Sequence, residues 1–123
     1  MSRKKRYTIS VGLNDKDEKT QKVQTERILR LVSNCCKGYS MAFSSYLQDG
    51  GYIHDNGEYV LERSVCIVFI DPEEGMVEEV GKDLCAFLNQ ESVLVTVDEV
   101  ECYFISESIR DATSPERSSP QDR

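Results

Sequence analysis

Apolar residues follow two different periods along the chain. From residue 7 to 13 they alternate, with Tyr7, Ile9, Val11 and Leu13 on one side and Thr8, Ser10 and Gly12 on the other, as in a strand with one face on a core. Asn14-Asp15 ends that run, and the charge-rich residues 15–24 read as a solvated loop. Thr25 then reads as a helix N-cap with Glu26 in the first turn, where the helix dipole favours an anion. Ile28, Leu31, Val32 and Cys35 recur at helical spacing, and Gly38 offers the C′ stop. Residues 40–53 form a β-type run whose alternation slips at Asp49-Gly50-Gly51, which predicts a bulge or bend on an edge strand. Asp55-Asn56-Gly57 tolerates positive φ between two β-rich runs, so residues 52–70 predict a hairpin feeding a strand. Residues 65–70 are apolar at every position, as a strand covered on both faces requires, and are therefore placed centrally. Asp71-Pro72 breaks the pairing, and Glu73-Glu74 puts carboxylates at the positive end of a second helix. Met76, Val77, Val80, Leu84, Phe87 and Leu88 are its stripe and Asn89 its terminator. Val93, Val95 and Val97 open a last strand, which Asp98-Glu99 divides or bulges before Cys102-Tyr103-Phe104-Ile105.

The order β-α-β, twice, predicts an α+β ferredoxin-like fold: a four-stranded antiparallel sheet, order 4-1-3-2, with two helices on one face. The fold occupies residues 7–105, after a basic N-terminal extension of residues 1–6. Residues 106–123, rich in serine, proline and mixed charge, predict a disordered tail. This topology brings three polar turns to one edge of the sheet. The predicted ligand-binding residues are Asn14, Asp15 and Lys16 after strand one, His54 and Asn56 on the hairpin, and Asn89, Gln90 and Glu91 before strand four; Arg27 on helix one is added as a cation for an anionic ligand. The competing reading is that turns are polar because Asn, Asp and Ser satisfy backbone groups there.

Charge narrows the partners. A net charge of −7 argues against a broad phosphate-neutralising face, so no nucleic-acid partner is expected. No apolar run approaches a membrane span, and the basic start lacks the apolar core of a signal peptide, so no membrane partner is expected either. Five cysteines, an odd number without a CxxC pair, argue against a disulfide framework or zinc knuckle and for a reducing cytoplasm.

Three short stretches carry a resemblance. Gly12-Leu13-Asn14-Asp15, the hairpin from Gly51 to Gly57 running into Glu62-Arg63-Ser64, and Asn89-Gln90-Glu91-Ser92 before strand four resemble the landmarks of a family of small uncharacterised ferredoxin-like domains of bacteria and phages. The resemblance implies the fold and carries no activity.

Candidate chemistry is sparse. His54 is the single histidine, with Asp55 adjacent and Glu91 on the same edge; Asp15, Asp17, His54 and Glu91 could collect a hard cation, but no EF-hand or HExxH spacing occurs, and neither a metal nor a cofactor is expected. Cys35-Cys36 is either a redox pair, if Lys37 lowers a thiol pKa, or a buried Cys35 beside a half-exposed Cys36. No catalytic residue is assigned. The reading that follows is a small non-enzymatic binding module, a homodimer or larger homo-oligomer formed by pairing the sheet faces that bear Thr8, Ser10, Tyr46, Ser64 and Tyr103 or by joining edge strands, that sequesters a small anionic or nucleotide-like signal or occupies a host protein in phage counter-defence. The alternative is a cofactor-independent enzyme of the dimeric ferredoxin-like class, a monooxygenase or isomerase, needing an enclosed pocket with an acid–base group.

Overall fold

Alternation places Ile9, Val11 and Leu13 of the first strand on the same side as Val65, Ile67 and Phe69 of the third, and these six residues are the buried floor on which both helices rest. In the computed structural model, which describes residues 2–13 and 17–107, the order is β1 (Ser2–Leu13), α1 (Glu18–Tyr39), β2 (Ser44–Ile53), β3 (Tyr59–Ile70), α2 (Met76–Leu88) and β4 (Leu94–Cys102). Hydrogen bonding gives one antiparallel sheet ordered β2-β3-β1-β4, the ferredoxin-like arrangement that the sequence pattern predicts. Ile28, Val32 and Cys36 of α1 and Met76, Val77, Val80 and Leu84 of α2 close the core from one side. Among the described residues, no helix lies on the opposite face of the sheet.

Several boundaries differ from the sequence expectation, each for a local reason. β1 begins at Ser2 and not at Tyr7, because its basic start lies against acidic β4: Arg3 pairs with Glu99 at 3.2 Å and Arg6 with Asp98 at 2.6 Å. The same pairing keeps β4 continuous through Asp98-Glu99, which therefore neither bulges nor divides, while Tyr103-Phe104-Ile105 lies beyond the strand. α1 starts at Glu18, two turns before the expected Thr25, because the Asp17 carboxylate accepts from the Thr20 N–H at 2.9 Å and the Thr20 hydroxyl at 2.8 Å. It runs through Gly38 to a left-handed Ser40 (φ 53°), whose N–H finds the Cys36 and Lys37 carbonyls. On this helix Cys36 is the buried thiol and Cys35 the half-buried one, the reverse of the expected assignment. β2 and β3 pair without a slip from Ser44↔Val68 to Ile53↔Tyr59, so Asp49-Gly50-Gly51 is not a bulge. Asn89 ends α2 in the left-handed conformation, as expected. The expected disordered tail lies, apart from Ser106 and Glu107, outside the described residues.

Candidate functional site

The hairpin is longer than the rest of the sheet. β1 stops at Leu13, level with Arg63, whereas β2 and β3 continue four pairs further to Ile53↔Tyr59. At about 3.3 Å per residue, that leaves a two-stranded ribbon projecting roughly 13 Å beyond the end of β1. The first two turns of α1 run alongside it, and a cleft of about 530 Å3 opens between them, lined by Glu18 and Gln21 of the helix and by Asp49, Gly51, Tyr59, Glu62 and Arg63 of the ribbon. A smaller hollow of about 300 Å3 continues it past Lys22, Thr25 and Leu47. The larger volume falls in the range of about 300–1,000 Å3 that small-molecule sites occupy.

Three features shape this cleft. Arg63 and Asp49 face each other across the hairpin, with Nε donating to Oδ1 at 2.8 Å; the guanidinium holds the Asp49 carboxyl below its ordinary pKa, and Asp49 in turn raises that of Arg63. Tyr59 lies over Gly51: a Cβ there would collide with the tyrosine ring and hydroxyl, so only glycine lets the ring approach the ribbon backbone this closely. The Glu62 carboxylate lies over Gly12, where an added Cβ would stand 2.8 Å from Oε2 and 3.1 Å from Cδ. Glu62 makes no ion pair among the described residues. Glu18 and Asp49 thus set two carboxylates against one guanidinium in the cleft, whereas Glu62, which borders the lining, turns its carboxylate over Gly12 to the sheet face opposite the helices.

The residues predicted from sequence are placed as follows. Asn14, Asp15 and Lys16 lie outside the described residues. His54 and Asn56 cap the ribbon: the His54 N–H donates to the Glu58 carbonyl at 2.7 Å, and Asn56 both donates to the Glu58 carboxylate and accepts from its N–H, closing the turn. His54 lies 6.4 Å, centroid to centroid, from the Tyr52 ring. Asn89 and Gln90 spend their N–H groups on the Ala86 and Cys85 carbonyls to end α2, and Glu91 is exposed beside them. These turns do share one edge of the sheet, but the hairpin tip projects past it while β4 begins level with Ser10, so the two polar groups are separated along the strand axis as well as across it. Arg27 is exposed on α1 and does not line either hollow. Sequence reasoning did not single out Glu18, Gln21, Asp49, Tyr59 or Arg63 as site residues.

Elsewhere, Cys35, Glu79 and Asp83 bring donor atoms within 4.8 Å of one another across the two helices. Burial and the Asp83 carboxylate push the Cys35 thiol up to about 11, which removes the thiolate that a redox pair with Cys36 would need. No helix among the described residues is long and apolar enough to cross a membrane.

No family model matches the chain, and no curated protein does. Two solved structures of a phage protein are similar: a phage SAM lyase in complex with S-methyl-5'-thioadenosine, 28% identical over 85% of this chain and 91% of that one with a TM-score of 0.56, and the phage SAM lyase in its apo state, 28% identical over 83% and 92% with the same TM-score. The likeness spans nearly the whole of the folded region. It overturns the expectation of a non-enzymatic module that sequesters a signal or occupies a host protein, because the neighbour sharing this architecture is an enzyme. Its lyase chemistry also differs from the monooxygenase or isomerase considered as the alternative.

Proposed function

We propose that this chain is a lyase that cleaves S-adenosylmethionine (SAM), and that the cleft between α1 and the β2–β3 ribbon holds the substrate. The observation that carries this reading is the 28% identity to the phage SAM lyase, sustained over 85% of this chain and 91% of that one. The character of the cleft supports it. SAM bears a permanent sulfonium cation, whereas S-methyl-5'-thioadenosine is what remains, uncharged, once the bond from sulfur to the amino-acid side chain has broken and sulfur has kept the electron pair. A cleft in which the carboxylates of Glu18 and Asp49 outnumber the Arg63 guanidinium attracts the cation and loses that attraction when the charge disappears, so it favours substrate over product. A small anionic ligand, the class expected from sequence, would meet the opposite field.

The bond balance requires no cofactor. Electrons leave with sulfur, and the carbon left deficient is closed by the substrate's own carboxylate, giving a lactone, or relieved by loss of a neighbouring proton, giving an alkene. The flat Tyr59 ring offers a stacking surface for the adenine or a face for the sulfonium. Holding the folded substrate against that wall converts cleavage into an oriented intramolecular step. The test is direct: purified protein is incubated with SAM, and both fragments are followed by liquid chromatography with mass detection. S-methyl-5'-thioadenosine should accumulate one for one with SAM lost, and the mass of the second fragment distinguishes lactone from alkene. SAM decay no faster than in buffer would end the proposal.

A further inference from the structure

The charges of the cleft distinguish the ends of the substrate. We infer that the Asp49–Arg63 pair is the receptor for the amino-acid end of SAM, with Arg63 taking its carboxylate and Asp49 its ammonium; this rests on the cleft being the substrate site. SAM carries two cations and one anion, namely the sulfonium, the α-ammonium and the α-carboxylate. The cleft opposes them with the inverse set, the Glu18 and Asp49 carboxylates and the Arg63 guanidinium. Ammonium and carboxylate leave the same carbon of the substrate, so their receptors must be neighbours of opposite sign. Asp49 and Arg63 are directly opposite each other across β2 and β3, with Nε and Oδ1 2.8 Å apart. Glu18, on α1, is left for the sulfonium.

The pair is not used up by its own contact. Arg63 Nε donates to Asp49 Oδ1 at 2.8 Å, but Nη2 comes only within 3.5 Å of Oδ2, longer than an ordinary hydrogen bond. Neither side chain makes a further side-chain hydrogen bond among the described residues. One Asp49 oxygen is therefore open to an ammonium, and the Nη edge of the guanidinium can donate to a carboxylate as a fork. Both side chains are open to solvent. The Nε bond also fixes the guanidinium before a ligand arrives, which reduces the entropy lost on binding. Position along the ribbon agrees. Arg63 and Tyr59 share one face of β3, four residues and roughly 13 Å apart, and the Tyr59 ring leans back over Gly51 toward the pair. With the adenine at Tyr59, the amino-acid end reaches the base of the ribbon, where the smaller hollow of about 300 Å3 also opens beside Arg63 and gives it room.

Two ligands isolate this contact. S-adenosylhomocysteine keeps the amino-acid end without the sulfonium, and S-methyl-5'-thioadenosine lacks that end. The experiment is calorimetric titration of each into the full chain, for wild type, Arg63→Gln and Asp49→Asn, with circular dichroism as the check of fold. Wild type should bind S-adenosylhomocysteine at least about tenfold more tightly than S-methyl-5'-thioadenosine, the factor expected of one or two charge-assisted hydrogen bonds. Each variant should weaken S-adenosylhomocysteine about tenfold and leave S-methyl-5'-thioadenosine unchanged. Equal losses for both ligands would make the pair a scaffold of the cleft and overturn the inference, as would S-adenosylhomocysteine binding that neither variant alters. Failure of the site itself reads differently. A wild type that binds neither ligand removes the substrate reading and this inference together, whereas S-methyl-5'-thioadenosine binding with no preference for S-adenosylhomocysteine removes the inference alone.

Discussion

Glu18→Gln tests the field of the cleft. Glu18 is exposed in the first turn of α1, and the Asp17 cap, not Glu18, holds the Thr20 N–H, so the fold should lose no more than the about 0.3–1 kcal/mol that an anion near a helix N-terminus contributes. What changes is the charge facing the bound sulfonium. A partly solvated charge pair is worth up to about 1 kcal/mol, a factor of about five. Glu18→Gln should therefore lower kcat/KM for SAM about fivefold through KM, whereas Glu62→Gln, whose carboxylate lies over Gly12 on the helix-free face, should change it little. The assay is initial-rate formation of S-methyl-5'-thioadenosine at low salt, repeated at about 1 M salt, where the Debye length falls to about 3 Å and the difference should shrink. Unchanged kinetics in Glu18→Gln, or a loss as large in Glu62→Gln, would refute this source of the field.

Other outcomes follow from the same contacts. Gly51→Ala displaces the Tyr59 ring and should weaken binding of S-methyl-5'-thioadenosine, read by calorimetry, with the melting temperature nearly kept; unchanged affinity would remove Tyr59 from the site. Asp17, Asp49 and Asp98 all have carboxyl pKa values held below the ordinary one, by Thr20, Arg63 and Arg6 respectively. Their contribution is present above the unfolded carboxylate pKa of about 3.9 and is lost as pH falls through the lower folded values, so the melting temperature should fall in acid, and less steeply in Asp17→Asn/Asp98→Asn. Cys35, held at about 11, should resist iodoacetamide at pH 8, and Asp83→Asn should speed its alkylation; peptide mapping reads both. Phe69→Ala, at a fully buried position, should cost about 3–5 kcal/mol and lower the melting temperature by more than 10 °C.

The fold was legible because its periods are clean. Tyr7 to Leu13 alternates, residues 65–70 are apolar throughout, and the order of elements allows few right-handed topologies. What escaped lay where periodicity has nothing to report. The first two turns of α1 extend past the sheet and cover no core, so residues 18–24 show no apolar stripe; the Asp17 cap, two residues into a charged stretch, was the only signal. Losing those turns meant losing Glu18 and Gln21. The glycine pair at Gly50-Gly51 suggested a slipped register, whereas Gly51 is glycine to admit the Tyr59 ring. Asp49 opposite Arg63 could have been found by counting outward from the Asp55-Asn56-Gly57 turn, since Ile53↔Tyr59 fixes every later pair in the hairpin. Two stretches quoted for their resemblance, Gly12-Leu13 and Glu62-Arg63, do meet in space, through the carboxylate lying over Gly12.

The measurement that bears most directly on the proposed site is a crystal structure of the full chain with S-methyl-5'-thioadenosine. The account predicts the nucleoside between the first turns of α1 and the ribbon, its sulfur toward Glu18 and its adenine against Tyr59. A nucleoside bound elsewhere, such as at the Asn89 turn, with this cleft empty, would contradict it.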